Sequence, residues 1–211
     1  MDRISPIALI ATFVLVALPA LNAARAEGFV DLRVGGSFTE DNDVEIDPPG
    51  GGGSFEVPTQ YEDSVNGGVR GGYWFDSLPW LGLAADVSYF GPNDDTPGGP
   101  EYDLIPLSPL LMARVPIATS EEYPHGRVQP FIGVGPGIFV SLADFGAAGD
   151  DETVEVGADV HAGLNVQVTR MVSLFAEYRF TYVEPEFEVQ GVDIEPELAT
   201  HHVGAGVGFH F

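Results

Sequence analysis

Residues 201–211 read HHVGAGVGFHF. Val203, Ala205, Val207, Phe209 and Phe211 alternate with His202, Gly204, Gly206, Gly208 and His210. Strict alternation of this kind marks a β-strand with two different faces, because successive side chains of a strand point to opposite sides. Chain ends fray unless something ties them down. A strand that runs to a terminal phenylalanine therefore needs a neighbour, and the same alternation locates it.

The pattern recurs along the chain. It predicts eight strands, at about 28–38, 64–75, 80–90, 103–115, 128–141, 153–168, 171–183 and 197–211. The first sets Val30, Leu32, Val34 and Phe38 against Asp31, Arg33 and Ser37. The sixth carries Val154, Val156, Ala158, Val160, Ala162, Leu164, Val166 and Val168 on one face, and Glu155, Asp159, His161, Asn165 and Gln167 on the other. The seventh repeats this with Val172, Leu174, Ala176, Tyr178, Phe180 and Tyr182. No window sustains a 3.6-residue period, so no helix is expected after the first 26 residues.

Those first residues form a separate unit. Arg3 is followed by an apolar run from Ile7 to Leu21, and the stretch closes on Ala24-Arg25-Ala26. A basic start, a short apolar run and a small-x-small end describe a cleavable signal peptide, 1–26, with Ala24 and Ala26 at the cleavage site. The remaining domain is 27–211. It has no cysteine and no lysine, and it holds 31 acids against six arginines, a net charge of −25. Such a chain is a poor partner for nucleic acid, and export here does not serve to build a disulfide scaffold.

The acids are sorted by position. Twenty-three of the 31 fall in 39–63, 91–103, 144–155 and 184–197, stretches rich in Gly and Pro that read as loops. These long acidic loops follow the first, third, fifth and seventh strands, and shorter links follow the others. An even strand number with long loops on one side is the habit of up-and-down barrels in an outer membrane. In lipid every backbone donor and acceptor must be paired, so the sheet has to close on itself. The last strand then pairs with the first, and Phe211 becomes the final rung at the membrane interface. The expected fold is all-β, an eight-stranded antiparallel up-and-down transmembrane β-barrel.

On SLFAEYRFTY (173–182), VQPFIGVGPG (128–137) and the terminal GVGFHF (206–211), the sequence resembles the small outer-membrane β-barrel family, the eight-stranded relatives of the OmpA transmembrane domain. The resemblance implies insertion by the barrel assembly machinery, which in that family reads a terminal strand ending in phenylalanine: here Val207, Phe209 and Phe211. It also implies outer-membrane lipid and lipopolysaccharide as surroundings. The chain leaves no room for the peptidoglycan-binding domain of the larger relatives, so no cell-wall tether is expected. Lipid-modifying hydrolases among eight-stranded barrels carry a His-x-Ser on a late strand, which YRFTYVEPEF (178–187) lacks.

By parity, Arg33, Arg70, Arg114 and Arg179 face the lumen together with Asp31, Asp86, Asp159 and Glu177. A barrel of eight strands has an interior that side chains fill, and buried arginines need carboxylate partners. A paired polar plug is therefore expected. His201 and His202 point to opposite faces, and His161 and His202 lie on strands separated by the seventh, so no metal site, cofactor or catalytic residue is expected. The acidic loops are expected to be solvated and to hold divalent cations only loosely. The alternatives are a narrow ion channel and an exported soluble lipocalin-like ligand-binding barrel, the latter with its faces reversed.

Overall fold

The computed structural model describes residues 26–47, 53–96 and 99–211. The proposed signal peptide, including Ala24 and the side chain of Ala26, lies outside the described residues. Twelve strands follow in chain order: β1 (Ala26–Thr39), β2 (Asn42–Asp47), β3 (Phe55–Thr59), β4 (Ser64–Phe75), β5 (Leu78–Tyr89), β6 (Glu101–Arg114), β7 (Val128–Asp144), β8 (Asp150–Gln167), β9 (Val172–Val183), β10 (Phe187–Val189), β11 (Val192–Glu195) and β12 (Leu198–His210). A single 3₁₀ turn at Gly146–Ala148 is the only helical segment among the described residues.

Eight of these strands close into a barrel in the order β1-β12-β9-β8-β7-β6-β5-β4. Each is within a few residues of its expected position. Closure is made by β1 and β12, from Phe29 opposite His210 to Thr39 opposite Thr200. Phe211 completes it: its N–H donates to the Gly28 carbonyl at 3.0 Å, and its own carbonyl accepts from Gly28 N–H at 2.9 Å. A pairing line followed from Phe38 through His201, Phe180, Val160, Val134, Leu111, Leu83 and Tyr73 returns to β1 at Gly28. That is ten residues below its start, a stagger that tilts the strands by about 40° to the barrel axis.

The two faces separate as the alternation requires. Leu32, Val34, Phe38, Leu83, Leu111, Ile132, Val134, Leu164, Leu174, Tyr178, Val203 and Phe209 are exposed on the outside. Asp31, Arg70, Asp86, Asp159, His161, Glu177, Arg179 and His202 are buried inside. In water, each of those outer side chains would forgo about 1.5–3 kcal/mol of burial. The belt belongs in hydrocarbon, and the lipocalin alternative, which needs a polar outside, fails on this point. Glycine on the inner face makes room for rings. A Cβ at Gly206 would lie 2.4 Å from the Phe175 ring and 2.2 Å from the Leu32 carbonyl oxygen.

The acidic stretches are not plain loops. Residues 42–47, 55–59, 187–189 and 192–195 form a second sheet, in the order β10-β11-β2-β3. The reason is local: Asp43-Val44-Glu45-Ile46-Asp47 and Val192-Asp193-Ile194-Glu195 alternate acid with apolar side chain as strictly as the barrel strands alternate small with apolar.

Candidate functional site: the charged lumen and the loop sheet

Three layers fill the barrel. The central one is ionic. Arg33 on β1 reaches across to Asp86 on β5, with Nη2 donating at 2.7 Å. Arg70 on β4 donates through Nη2 to Asp31 at 2.7 Å, and through Nη1 to Glu177 on β9. Arg179 on β9 grips Asp159 on β8 through both Nε (2.8 Å) and Nη2 (2.6 Å), and its Nη1 donates to Ser88. Two-pronged guanidinium–carboxylate contacts of this kind fix orientation as well as charge. His161 sits between two acids, with Nδ1 3.1 Å from Glu177 and Nε2 3.0 Å from Asp159. The Arg70 guanidinium also lies over the rings of Phe131 and Phe175, at 5.0 and 5.6 Å.

Toward the acidic loops the layer gives way to neutral hydrogen bonds and then to rings. His202 shares hydrogen bonds with Ser37 (2.7 Å) and Thr181 (3.0 Å), and Phe90 meets its face edge-on at 4.6 Å. Beyond it Tyr61, Phe90, Tyr102, Leu104, Phe139, Val183, Phe187 and Leu198 form an apolar cluster. Tyr61 and Phe187 come from the long connections, so the loops themselves stopper this end. Toward the short turns lies a second cluster of Phe29, Trp74, Leu110, Met112, Phe131 and Phe175.

Arg114 belongs to that lower layer, which corrects the expected grouping of four arginines with four acids. It stacks over Trp74 at 4.3 Å and donates to Gln129, to the Pro79 carbonyl and to Glu27. Parity placed Arg114 inside correctly but could not give its height. Its carboxylate partner, Glu27, is the first residue after the proposed cleavage site and went unnoticed. In the central layer it is His161, not a fourth arginine, that stands among the carboxylates.

No metal site is expected from the sequence, yet Asp86, Asp159 and His161 each bring a donor atom within 4.8 Å of the others. Both carboxylates are already held by guanidinium groups, whose positive charge opposes a cation there. On the outer face a second constellation was missed. His201 shares hydrogen bonds with Tyr178 Oη (2.6 Å) and Glu40 (2.8 Å), with Phe180 alongside at 5.2 Å. The barrel strands around it already pair their backbone N–H groups, and the hydroxyl is a phenol.

The loop sheet is built on the opposite electrostatic plan. Its pairing puts Glu56 opposite Glu45 and Glu45 opposite Glu195, one row of three carboxylates across β3, β2 and β11. Asp47, Asp193 and Glu188 form a second row across β2, β11 and β10. Like charges directly opposite one another destabilise a sheet. Glu195 accordingly titrates above its ordinary range, through local loss of hydration and then through Glu186, Glu45, Asp193 and Asp47. The other face is apolar, with Phe55, Ile46, Ile194 and Phe187 in one row.

Comparison with known proteins agrees with this architecture. Residues 8–211 match the family described as outer membrane protein beta-barrel domain. No curated protein matches the chain. Among solved structures, Neisserial surface protein A is similar at 17% identity and a TM-score of 0.57, covering 87% of this chain and 97% of its own. The outer membrane protein OprG of Pseudomonas aeruginosa is similar at 11% identity and a TM-score of 0.63, covering 89% of this chain and 96% of its own. At these identities the likeness is one of fold. A closed eight-stranded barrel with an apolar belt, matched to one family over nearly its whole length, places this chain in the outer membrane protein beta-barrel domain family and in the bacterial outer membrane.

Proposed function

We propose that the chain is a closed, non-conducting scaffold that holds its loop sheet outside the cell for interaction, with no catalysis of its own. The observation that carries this reading is the central ionic layer. Just below it, among Asp31, Arg70, Trp74, Met112 and Arg114, a cavity has a volume of about 10 Å³, barely the space of one water molecule. An ion would have to break paired, buried charges to pass. The apolar cluster above and the Trp74–Arg114 stack below add two further obstructions.

The reading extends to assembly and surroundings. Val207, Phe209 and Phe211 would be read by the barrel assembly machinery during insertion, and lipid and lipopolysaccharide would cover the outer belt. Loosely held divalent cations at the acidic loops would screen them from lipopolysaccharide phosphates. The test of the closed scaffold is recording in planar bilayers. The purified protein should leave the membrane at its baseline conductance, whereas discrete, reproducible openings would replace this reading with a narrow channel.

A further inference from the structure

The two edges of the loop sheet differ. At one, β10 lies against the barrel's own β8 extension: Glu188 N–H donates to Asp151 at 2.8 Å, and Phe187 is buried in the mouth. At the other, β3 pairs with β2 and, among the described residues, with no strand on its far side. Phe55 and Val57 on this edge are 52% and 38% exposed. An open edge carrying exposed apolar side chains is a template for another strand. Pro58, which has no N–H to give, closes the edge at its barrel end, so the usable ladder is short and lies toward Phe55.

We propose that β3 is the docking edge for an extended segment of a partner protein in which basic residues alternate with apolar ones. The specificity follows from register. A strand added beside β3 continues each existing row by one position. Beside Glu56 it extends the row Glu56–Glu45–Glu195, where a lysine or arginine would pair with Glu56 and relieve a row of like charges that nothing on the sheet offsets. Beside Phe55 and Val57 it extends the apolar rows toward Ile46 and Val44. Side chains of a strand alternate between faces, so one segment satisfies both only with that alternation. A second copy of this chain would bring a further acidic row against the first and is disfavoured by charge.

This inference rests on the surface-interaction reading, yet it fails separately from it. Protein refolded in zwitterionic lipid nanodiscs is titrated, at about 150 mM salt, with a labelled peptide of about six residues that alternates arginine and valine. Controls are the same composition with its arginines in one block, and two alternating peptides N-methylated at every second residue, one in each phase. The alternating peptide should bind about tenfold tighter than the block peptide, and one N-methylated phase should lose a similar factor. Glu56→Lys should weaken the parent peptide alone. Equal binding of the block peptide would reduce the effect to diffuse charge and overturn the proposal. So would equal binding of both N-methylated phases, or self-association of the protein through this edge. None of these outcomes changes the conductance, which reports on the scaffold reading itself.

Discussion

Inside the barrel, every carboxylate of the central layer faces an arginine or a histidine. Ten or so residues further along the chain, in the separate strands of the loop sheet, carboxylates face carboxylates. The same residue types obey opposite rules because their solvents differ. In the lumen an unpaired charge meets a low dielectric and costs several kcal/mol, so compensation must be built in. Outside, water and salt screen each charge, and uncompensated rows cost only tenths of a kcal/mol. They can persist, and they remain free to recognise a partner of opposite sign.

The largest effect should come from unpairing the lumen. Arg179→Ala leaves Asp159 without its guanidinium, and loss of one partner of a buried pair costs about 3–5 kcal/mol. Thermal unfolding in detergent, read as the shift of the folded band on unheated gels, measures it. An unchanged transition would mean that water already bathes the lumen. A smaller effect, of the opposite kind, is expected outside. Glu195 has a raised folded-state pKa, so its contribution to the loop sheet is full below the ordinary carboxylate range of about 4.3 and is lost as pH climbs through the raised value. Amide protection factors in β2 and β11, corrected for intrinsic exchange, should therefore be higher at about pH 4 than at about pH 7. Equal protection at both would show that the rows do not repel. Smallest in vitro is Phe211→Lys. An interfacial charge costs about 0–1 kcal/mol, so refolding in detergent should be nearly normal. If the residue acts there as an address, as proposed, insertion in cells should nevertheless fall several-fold. Normal insertion would remove that role.

Much of this comparison could be read from residue order alone. Two-faced alternation located all eight barrel strands and assigned Arg33, Arg70, Arg114 and Arg179 to the inside, because parity is a local property. Height was not legible. Whether Arg114 reaches Asp86 or Glu27 depends on the stagger of ten residues around the barrel, which emerges only on closure. The loop sheet was hidden for a different reason. Val44-Glu45-Ile46 carries the strand pattern, but glycine, proline and dense like charge argue for loop, and the pairing that outweighs them joins segments about 150 residues apart. Phe187 and Tyr61, which stopper the mouth, were masked by the same composition.

The contrast can be put to one measurement. Glu45 stands in the middle of a carboxylate row, between Glu56 and Glu195, and Glu45→Gln deletes one charge without changing shape. Deleting a charge in the lumen should destabilise. Deleting this one should raise the amide protection of β2, β3 and β11, by a few tenths of a kcal/mol at low salt, and the gain should shrink as salt is added. A fall in protection on Glu45→Gln would mean that the outer carboxylates are compensated after all, and the two regions would then follow the same rule.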